Sequence, residues 1–411
     1  MIITVGTEKS LQNMTKNNKV VLIFSKVQPL RTFGDKTILS VFIDKFPKDS
    51  KFTVYVPTDA NIVEDYIKCA HPDISAEVSN EAIDTNFLQI GQESYGLSTN
   101  AGYKQAVSRY FGNKNNFDFS KPEEAIYFVN DRVVKFFKDE KVVKSKVERA
   151  RLLGGLVPVI DKVGRNYYSY KLISGKTMYE SLVPGLTSQF LEWCSAFLWN
   201  HRKINLTAEQ QNEFARACTE FYKDKTLERV NLYWSTSNQK DALSTVNGIE
   251  VSTLAELINK IDWKDLSHGR PSRFHGDLQF DNVIFSPGRK SKFVLLDWRH
   301  DFSGIIEYGD IYYDLAKLYG GLIVPYNLIK KNLFTFKQNF HHVQIDMGHL
   351  KHLDSAKREF VEFVQNRGYD YKKIRLLTGI IFINMSPLHT EPFNFFLHHL
   401  GKLMLTKILN A

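Results

Sequence analysis

The segment from Phe274 to Asp297 constrains the fold of this chain more than any other. A polar loop at residues 275–282 (HGDLQFDN) is followed by the apolar run Val283-Ile284-Phe285. A second apolar run, Phe293-Val294-Leu295-Leu296, ends at Asp297. Two such runs separated by turn-forming residues predict a short hairpin with the polar loop at one end. We expect this hairpin to bring Asn282 close to Asp297, 15 residues later in the chain.

These side chains suit phosphoryl transfer, which needs a group at the acceptor hydroxyl, ligands for magnesium and cations on the phosphates. Asp277 is the candidate catalytic residue, because its carboxylate can accept the hydrogen bond and then the proton of an attacking hydroxyl. Asn282 offers a carbonyl oxygen of the kind that a hard cation prefers. Asp297 is expected to be the main magnesium ligand.

Three motifs in order carry a family resemblance: HGDLQFDN, then LLDWR, then Tyr308-Gly309-Asp310-Ile311-Tyr312-Tyr313-Asp314-Leu315-Ala316. Together they resemble the aminoglycoside phosphotransferase and choline kinase family. The form YGDIYYDLAKL is most similar to kinases encoded with bacterial capsule and surface-polysaccharide genes. The resemblance implies a protein-kinase-like fold, ATP and Mg2+ as cofactors, and transfer to a hydroxyl of a sugar or an amino-alcohol such as choline.

Other motif residues are expected to support the site. The resemblance implies that Asp310 braces the polar loop by hydrogen bonds, although an acidic residue at a helix N-terminus also fits. For Asp314 the helix-terminus explanation is the better one. His275 is expected to orient the loop through the backbone or Asp297, with a role as catalytic base as the alternative.

The nucleotide-binding residues are expected in a strand-rich segment upstream. Lys135 alternates with apolar residues in Val133-Val134-Lys135-Phe136-Phe137 and can reach the nucleotide phosphates, and Glu148 on the following helix could pair with it. A solvated lysine and a solvated glutamate remain alternatives. Backbone groups from Tyr170 to Ile173 would contact the adenine. The Gly-rich candidates for a phosphate loop, residues 96–102 and 111–116, are equally consistent with plain loops.

The order of predicted elements gives an α+β chain, a bilobal protein-kinase-like fold preceded by a small α/β unit. We expect that unit at residues 1–90, the kinase-like N-lobe at 91–180 and the helical C-lobe at 181–411. A helix at residues 36–46 between two apolar runs favours parallel strand pairing in the first unit. Its segment PLRTFGDKTILSVFIDKF faintly resembles the start of a sugar nucleotidyltransferase, without the Gly-rich loop that should come first.

Composition excludes several classes of protein. The net charge is +9 in 411 residues, but no run of five or more Lys/Arg occurs, so a nucleic-acid-binding arm is not predicted. Three separated cysteines indicate neither a disulfide framework nor a zinc site. No secretory signal is evident and the apolar segment at 374–384 is too short to span a bilayer. We therefore expect a cytoplasmic protein without membrane insertion.

The acceptor is the least determined part of the prediction. Asp301 or Glu307 could bind a cationic acceptor. Two other functions stay open: a catalytically silent kinase-like module that binds a nucleotide or a partner, and a bifunctional enzyme whose first 90 residues bind a nucleotide sugar.

Overall fold

A computed structural model describes residues 2–4, 19–24, 29–30, 32–33, 36–44, 46, 48–56, 58–80, 124–129, 131–199, 204–237, 239–289, 291–348 and 350–410. The chain divides into two compact units. The first comprises Met1–Lys144 and Ile160–Leu172, and the second Ser145–Val159 and Ile173–Ala411. Strands are common in the first unit and helices dominate the second, so the predicted α+β class is confirmed.

A parallel sheet forms the early part of the first unit. Its strands are β1 (Ile2–Thr4), β2 (Lys19–Ile23), β5 (Lys51–Tyr55) and β6 (Ser75–Ser79), in the order β1-β2-β5-β6. A two-stranded ribbon, β3 (Thr32–Phe33) and β4 (Lys36–Thr37), precedes helix α1 (Ile38–Ile43), and α2 (Ala60–Ala70) follows β5. The predicted parallel pairing is confirmed. Helix α1 starts later than expected because the Thr37 side chain caps it by accepting from the Ser40 N–H.

An antiparallel sheet completes the first unit. It consists of β7 (Glu124–Val129), β8 (Arg132–Phe137), β9 (Ile160–Val163) and β10 (Tyr167–Lys171), in the order β7-β8-β10-β9. β7 and β8 form an antiparallel hairpin. Val134 and Phe136 of β8 belong to the same buried cluster as Leu22, Val54 and Tyr66 of the parallel part. The two sheets of this unit therefore share one core.

The domain boundaries remain predictions. The boundary at residue 90 lies outside the described residues, and the two compact units change over between Leu172 and Ile173 rather than at 180.

Helices of very different lengths build most of the second unit. In chain order they are α3 (Glu140–Leu153, entering from the first unit), α4 (Met178–Ser181), α5 (Leu186–Trp193), α6 (Ala208–Thr219), α7 (Lys225–Thr236), α8 (Leu254–Lys260), α9 (Trp263–Ser267), α10 (Ile311–Ile323), α11 (Tyr326–Lys330), α12 (Lys351–Asn366), α13 (Tyr371–Met385) and α14 (Phe393–Leu409). The π-helical turns Cys194–Leu198 and Glu220–Asp224 continue α5 and α6. Along the described residues no helix has the length and apolar character needed to cross a membrane.

Three sets of short strands interrupt these helices. In the first set, β11 (Lys176–Thr177) pairs with the hairpin of β15 (Val283–Phe285) and β16 (Phe293–Leu295). In the second, β14 (Pro271–Ser272) pairs with β17 (Gly309–Asp310). The third is a sheet of β12 (Ser244–Val246), β13 (Ile249–Val251), β18 (Phe334–Asn339) and β19 (His342–Met347). The last sheet was not predicted. Its β12–β19 pairing joins segments far apart in sequence, which local patterns do not reveal.

The core of the second unit lies directly under the polar loop. Phe274, immediately before the loop, is buried among Phe302 and Tyr308 and among the inner faces of α10 and α13. Ridge-forming apolar residues such as Leu377 and Ile380 fill the space between those helices. The loop is therefore anchored on a packed helical core.

Candidate active site

The polar loop ends in the hairpin that the sequence predicted. Residues Phe280–Asn282 form one 3-10 turn, and β15 then pairs antiparallel with β16, Val283 opposite Leu295. The Leu296 N–H donates to the Asn282 carbonyl over 2.8 Å. Asn282 and Asp297 thus lie together at the open end of the hairpin.

Several donors hold the Asp277 carboxylate. Oδ1 accepts from Gln279 Nε2 at 3.1 Å and lies 2.7 Å from Lys317 Nζ, while Oδ2 accepts from Asn282 Nδ2 at 3.3 Å. The Asp277 side chain is nevertheless 38% exposed. A carboxylate that is fixed in direction but open to solvent can bind an incoming hydroxyl.

Lys317 on α10 is a partner that sequence reasoning missed. Burial alone would lower the pKa of this ammonium, but the charge and hydrogen bond of Asp277 outweigh burial and raise it. Lys317 is therefore charged and neutralises Asp277. Its signal in the sequence was spacing: Lys317 follows Asp314 by three residues, on the same face of an apolar helix.

The residues predicted to bind magnesium have a suitable donor set. Asn282 uses its amide nitrogen to donate to the Asp277 carbonyl and carboxylate, which leaves Oδ1 as the oxygen available to a cation. Asp297 supplies a carboxylate from a left-handed backbone conformation, φ 60°, which Asp tolerates better than most residues. Two oxygen ligands, with phosphate oxygens and water for the rest, fit Mg2+. Within the described ranges no group of three or more His, Cys, Asp or Glu side chains could hold a metal.

His275 is fully buried and uses both ring nitrogens. Nε2 lies 2.8 Å from the Leu296 carbonyl, and Nδ1 accepts from the Asp277 N–H at 3.2 Å. A neutral ring protonated at Nε2 satisfies both contacts. Burial lowers the pKa of His275 to about 4. The ring joins the polar loop to the strand before Asp297, which fits the orienting role better than that of a base.

Asp314, rather than Asp310, makes the hydrogen bonds to the polar loop. Its two carboxylate oxygens accept from the backbone N–H groups of His275 and Gly276, each at 2.7 Å, and Oδ2 also accepts from Trp199 Nε1 at 3.0 Å. Burial raises the pKa of Asp314 to about 6, against the effect of these hydrogen bonds.

Asp310 caps the start of α10 instead. It accepts from the Tyr312 N–H at 3.1 Å, the Arg270 N–H at 2.9 Å and the Tyr222 hydroxyl at 2.7 Å. This differs from the role that the resemblance implied, because the acid that reaches the loop lies one helical turn further along.

Helix α3 contributes two buried cations that the sequence did not single out. Arg149 donates to the Phe274 and Ile306 carbonyls, and its guanidinium lies 4.1 Å from the centre of the Phe274 ring. Lys146 donates to the Trp298 carbonyl at 2.6 Å, and Trp298 Nε1 donates back to the Lys146 carbonyl at 2.9 Å. These bonds tie the helix to the residues on either side of the candidate site.

The four residues predicted to bind the nucleotide fall in both units. Lys135 is buried on β8 opposite Tyr168, and Tyr170 is buried on β10. Glu148 is an exposed residue of α3, and Ile173 is half-buried just after β10. Their contacts with nucleotide stay predictions. Both Gly-rich candidate loops lie outside the described residues.

No family model and no curated protein matches the chain. Solved structures of three small-molecule kinases resemble it in fold. The gentamicin complex of APH(2″)-IIa is 14% identical, with 75% of this chain and 96% of that one covered and a TM-score of 0.40. An ethanolamine kinase from Plasmodium vivax is 12% identical, with 75% of this chain and 87% of that one covered and a TM-score of 0.38. Choline kinase LicA from Streptococcus pneumoniae is 13% identical, with 71% of this chain and 92% of that one covered and a TM-score of 0.38. At these values the likeness concerns the fold alone.

Proposed function

We propose that this protein is an ATP- and magnesium-dependent phosphotransferase that moves the γ-phosphoryl group to a hydroxyl of a small molecule. The observation that carries the proposal is the arrangement around Asp277. One half-exposed carboxylate is held by three side chains, and Asn282 links it directly to the hairpin end that carries Asp297. Positioning of this kind is what phosphoryl transfer requires of a protein.

The acceptor hydroxyl would donate its hydrogen bond to Asp277. Its oxygen then forms a bond to the γ-phosphorus, the bond from that phosphorus to the β–γ bridging oxygen breaks, and ADP leaves with the electron pair. The hydroxyl proton passes to Asp277. Lys317 and Gln279 hold the carboxylate in one direction throughout, which reduces the reorganisation needed in the transition state.

Asn282 and Asp297 are the residues that would hold magnesium, which when bound neutralises charge on the transferred phosphoryl group. His275 and Asp314 keep the loop and the hairpin in register by binding backbone groups of both. Lys135, Glu148 and the backbone near Tyr170 and Ile173 are proposed to bind the nucleotide.

A sugar or an amino-alcohol is the proposed class of acceptor, in the assembly of a bacterial capsule or surface polysaccharide. The competing function is a silent kinase-like module that binds nucleotide without turnover. The intact set of Asp277, Asn282 and Asp297 favours the enzyme, because a binding module does not need a half-exposed carboxylate beside its metal ligands.

Consumption of ATP with Mg2+ should be measured across sugars, acidic sugars, aminoglycosides, choline and ethanolamine. We expect acceptor-dependent formation of ADP, and a fall in kcat of at least about 100-fold for Asp277→Asn, since general base catalysis and positioning are both lost. Asp346→Asn, an exposed carboxylate on β19, is the matched control and should keep full activity. Tight Mg-ATP binding without turnover of any acceptor would support the silent module instead.

A further inference from the structure

Four basic side chains lie at or near the polar loop. We call them the cationic cluster: Lys225, Arg229, Arg299 and Lys317. Two of them touch the loop directly. Lys317 Nζ lies 2.7 Å from Asp277 Oδ1, and the backbone N–H of Arg299 donates to the His275 carbonyl at 2.9 Å, which places the Arg299 side chain next to the loop. The Arg299 side chain also runs against Gly276, where a Cβ atom would come within 2.4 Å of the Arg299 Cβ.

One aromatic ring holds two members of the cluster together. Lys225 Nζ lies 4.4 Å and the Arg299 guanidinium carbon 4.7 Å from the centre of the Phe221 ring. Because both distances are measured to the same ring centre, the two charged groups lie no further apart than the two distances added together. Phe221 itself is fixed, because it stacks on Phe302 at 4.4 Å and meets Tyr313 edge-on at 4.7 Å.

The crowding of positive groups also affects the pKa of Lys225. Burial and then the positive charges of Arg299, Arg229 and Lys317 lower the pKa of Lys225 to about 6, with Asp301 as a weaker opposing charge. Burial is the larger cause and the neighbouring positive charges add to it, so Lys225 keeps its full charge at neutral pH only when an anion lies beside it. An anion bound there would relieve the repulsion.

The buried cations of this unit outside the cluster have oxygen acceptors, whereas three half-buried members of the cluster form no ion pair within the described residues. Lys146 and Arg149 donate to backbone carbonyls, and Lys402 pairs with Asp241. By contrast, Lys225, Arg229 and Arg299 form no ion pair within the part of the chain that the structure describes. Nε of Arg229 and Nε of Arg299 are buried there without a hydrogen-bond acceptor; Nε of Arg149 is too, but the other two nitrogens of that guanidinium bind carbonyls. Buried donors of this kind need an acceptor from somewhere.

The acids suggested for a cationic acceptor do not form an acidic pocket. Asp301 accepts from the Gly304 N–H at 3.2 Å and lies 3.5 Å from His300 Nε2, so local groups already engage it. Glu307 is exposed. Lys317 and Arg299 therefore place positive charge beside the polar loop, which disfavours a cationic acceptor such as choline or an aminoglycoside.

We propose that the acceptor is itself an anion, a hydroxylated small molecule whose carboxylate or phosphate group binds the cationic cluster while its hydroxyl meets Asp277. The inference rests on the proposed function and makes its acceptor more specific. Arginine guanidinium groups match carboxylate and phosphate oxygens geometrically, and half-buried cations bind them more strongly than solvated ones. An acidic or phosphorylated sugar fits this site, and a cationic amino-alcohol does not.

Matched acceptors that differ in an acid group test the proposal. ATP consumption should be compared for glucose, glucuronate and glucose 6-phosphate, for ribose and ribose 5-phosphate, and for ethanolamine and serine. We expect at least tenfold higher kcat/KM for the acid-bearing member of a pair. The double variant Lys225→Gln/Arg229→Gln should raise KM for that acceptor at least tenfold and change KM for ATP less than twofold. The double variant Lys337→Gln/Lys372→Gln, at two exposed lysines, is the control with the same number of basic groups removed.

Inorganic phosphate provides a second measurement that does not depend on turnover. It should raise the Tm of the wild-type protein more than that of the double variant. Equal turnover of neutral and acid-bearing acceptors, or no difference between the two proteins with phosphate, would overturn the anionic acceptor alone. A rise in KM for ATP instead of the acceptor would assign the cluster to the nucleotide phosphates and also overturn it. If the wild-type protein formed no ADP with any acceptor, and so did not differ from Asp277→Asn, the proposed function itself would be overturned.

Discussion

Asp314 shows how a single buried residue can organise the polar loop. Its carboxylate accepts two backbone N–H groups and an indole N–H from three parts of the chain. Burial disfavours the charged form of the Asp314 carboxylate, and the hydrogen bonds from these three donors offset part of that cost. The loop conformation that presents Asp277 therefore depends on a side chain from another element.

Asp314→Asn should lower the free energy of unfolding by about 1–2 kcal/mol, because one backbone N–H would then face an amide NH2 group. Removal of the buried charge offsets part of the loss, which keeps the value small. Urea denaturation measures it, and amide exchange at His275 and Gly276 should accelerate. Unchanged exchange at both amides would contradict the role given to Asp314, and Asp346→Asn serves as the control.

His275 makes stability depend on pH. Its imidazole is neutral in the folded protein, where burial lowers the pKa from 6.5 to about 4. The unfolded chain therefore binds a proton at higher pH than the folded one. Its contribution to stability is complete above about pH 6.5 and is lost as the pH falls towards 4.

Between pH 7 and pH 4 the wild-type protein should lose about 3 kcal/mol more stability than His275→Gln, whose side chain does not titrate. Chemical denaturation at several pH values gives both curves, and their difference cancels contributions from other groups. A difference that grows at higher pH, or is absent, would show that the ring is not held neutral.

At the scale of elements, helix α3 acts as a support for the candidate site within its unit. Arg149 binds two backbone carbonyls and covers the Phe274 ring, and Lys146 exchanges hydrogen bonds with Trp298. The first contact reaches the residue before the polar loop and the second the residue after Asp297. Their shared helix fixes both ends of the candidate site.

Arg149→Lys should destabilise the second unit by about 2 kcal/mol and reduce kcat, because one ammonium cannot serve two carbonyls and also lie flat on a ring. Thermal unfolding and steady-state rates measure the two effects. Arg151→Lys, an exposed arginine two residues along the same helix, should change neither. Equal behaviour of the two variants would remove the special role of Arg149.

At the scale of the whole molecule, the early parallel sheet and the later antiparallel sheet of the first unit share one buried cluster. Phe136 of β8 packs edge-on against Tyr66 of α2 at 6.1 Å, inside a cluster that spans both sheets of the first unit. Removing the early sheet would expose the apolar faces of Val134 and Phe136 to water. Apolar area exposed in this way costs about 25 cal/mol per Å².

A chain truncated to begin at Glu124 should therefore have a lower Tm than the full chain and bind more of a hydrophobic dye. Differential scanning calorimetry and dye fluorescence test this directly. A truncated chain that melts at the same temperature would instead favour an independent unit at residues 1–90, as the sequence predicted.

The sequence determined the features that depend on neighbours along the chain. Two apolar runs around a turn predicted the hairpin that brings Asn282 to Asp297, because local backbone preferences and burial of one face decide such elements. The tertiary structure alone decided which charges meet. Lys317 against Asp277, Asp314 under the loop, and the cationic cluster all join remote segments. Whether a charge is solvated or buried beside another depends on packing, which no local pattern encodes.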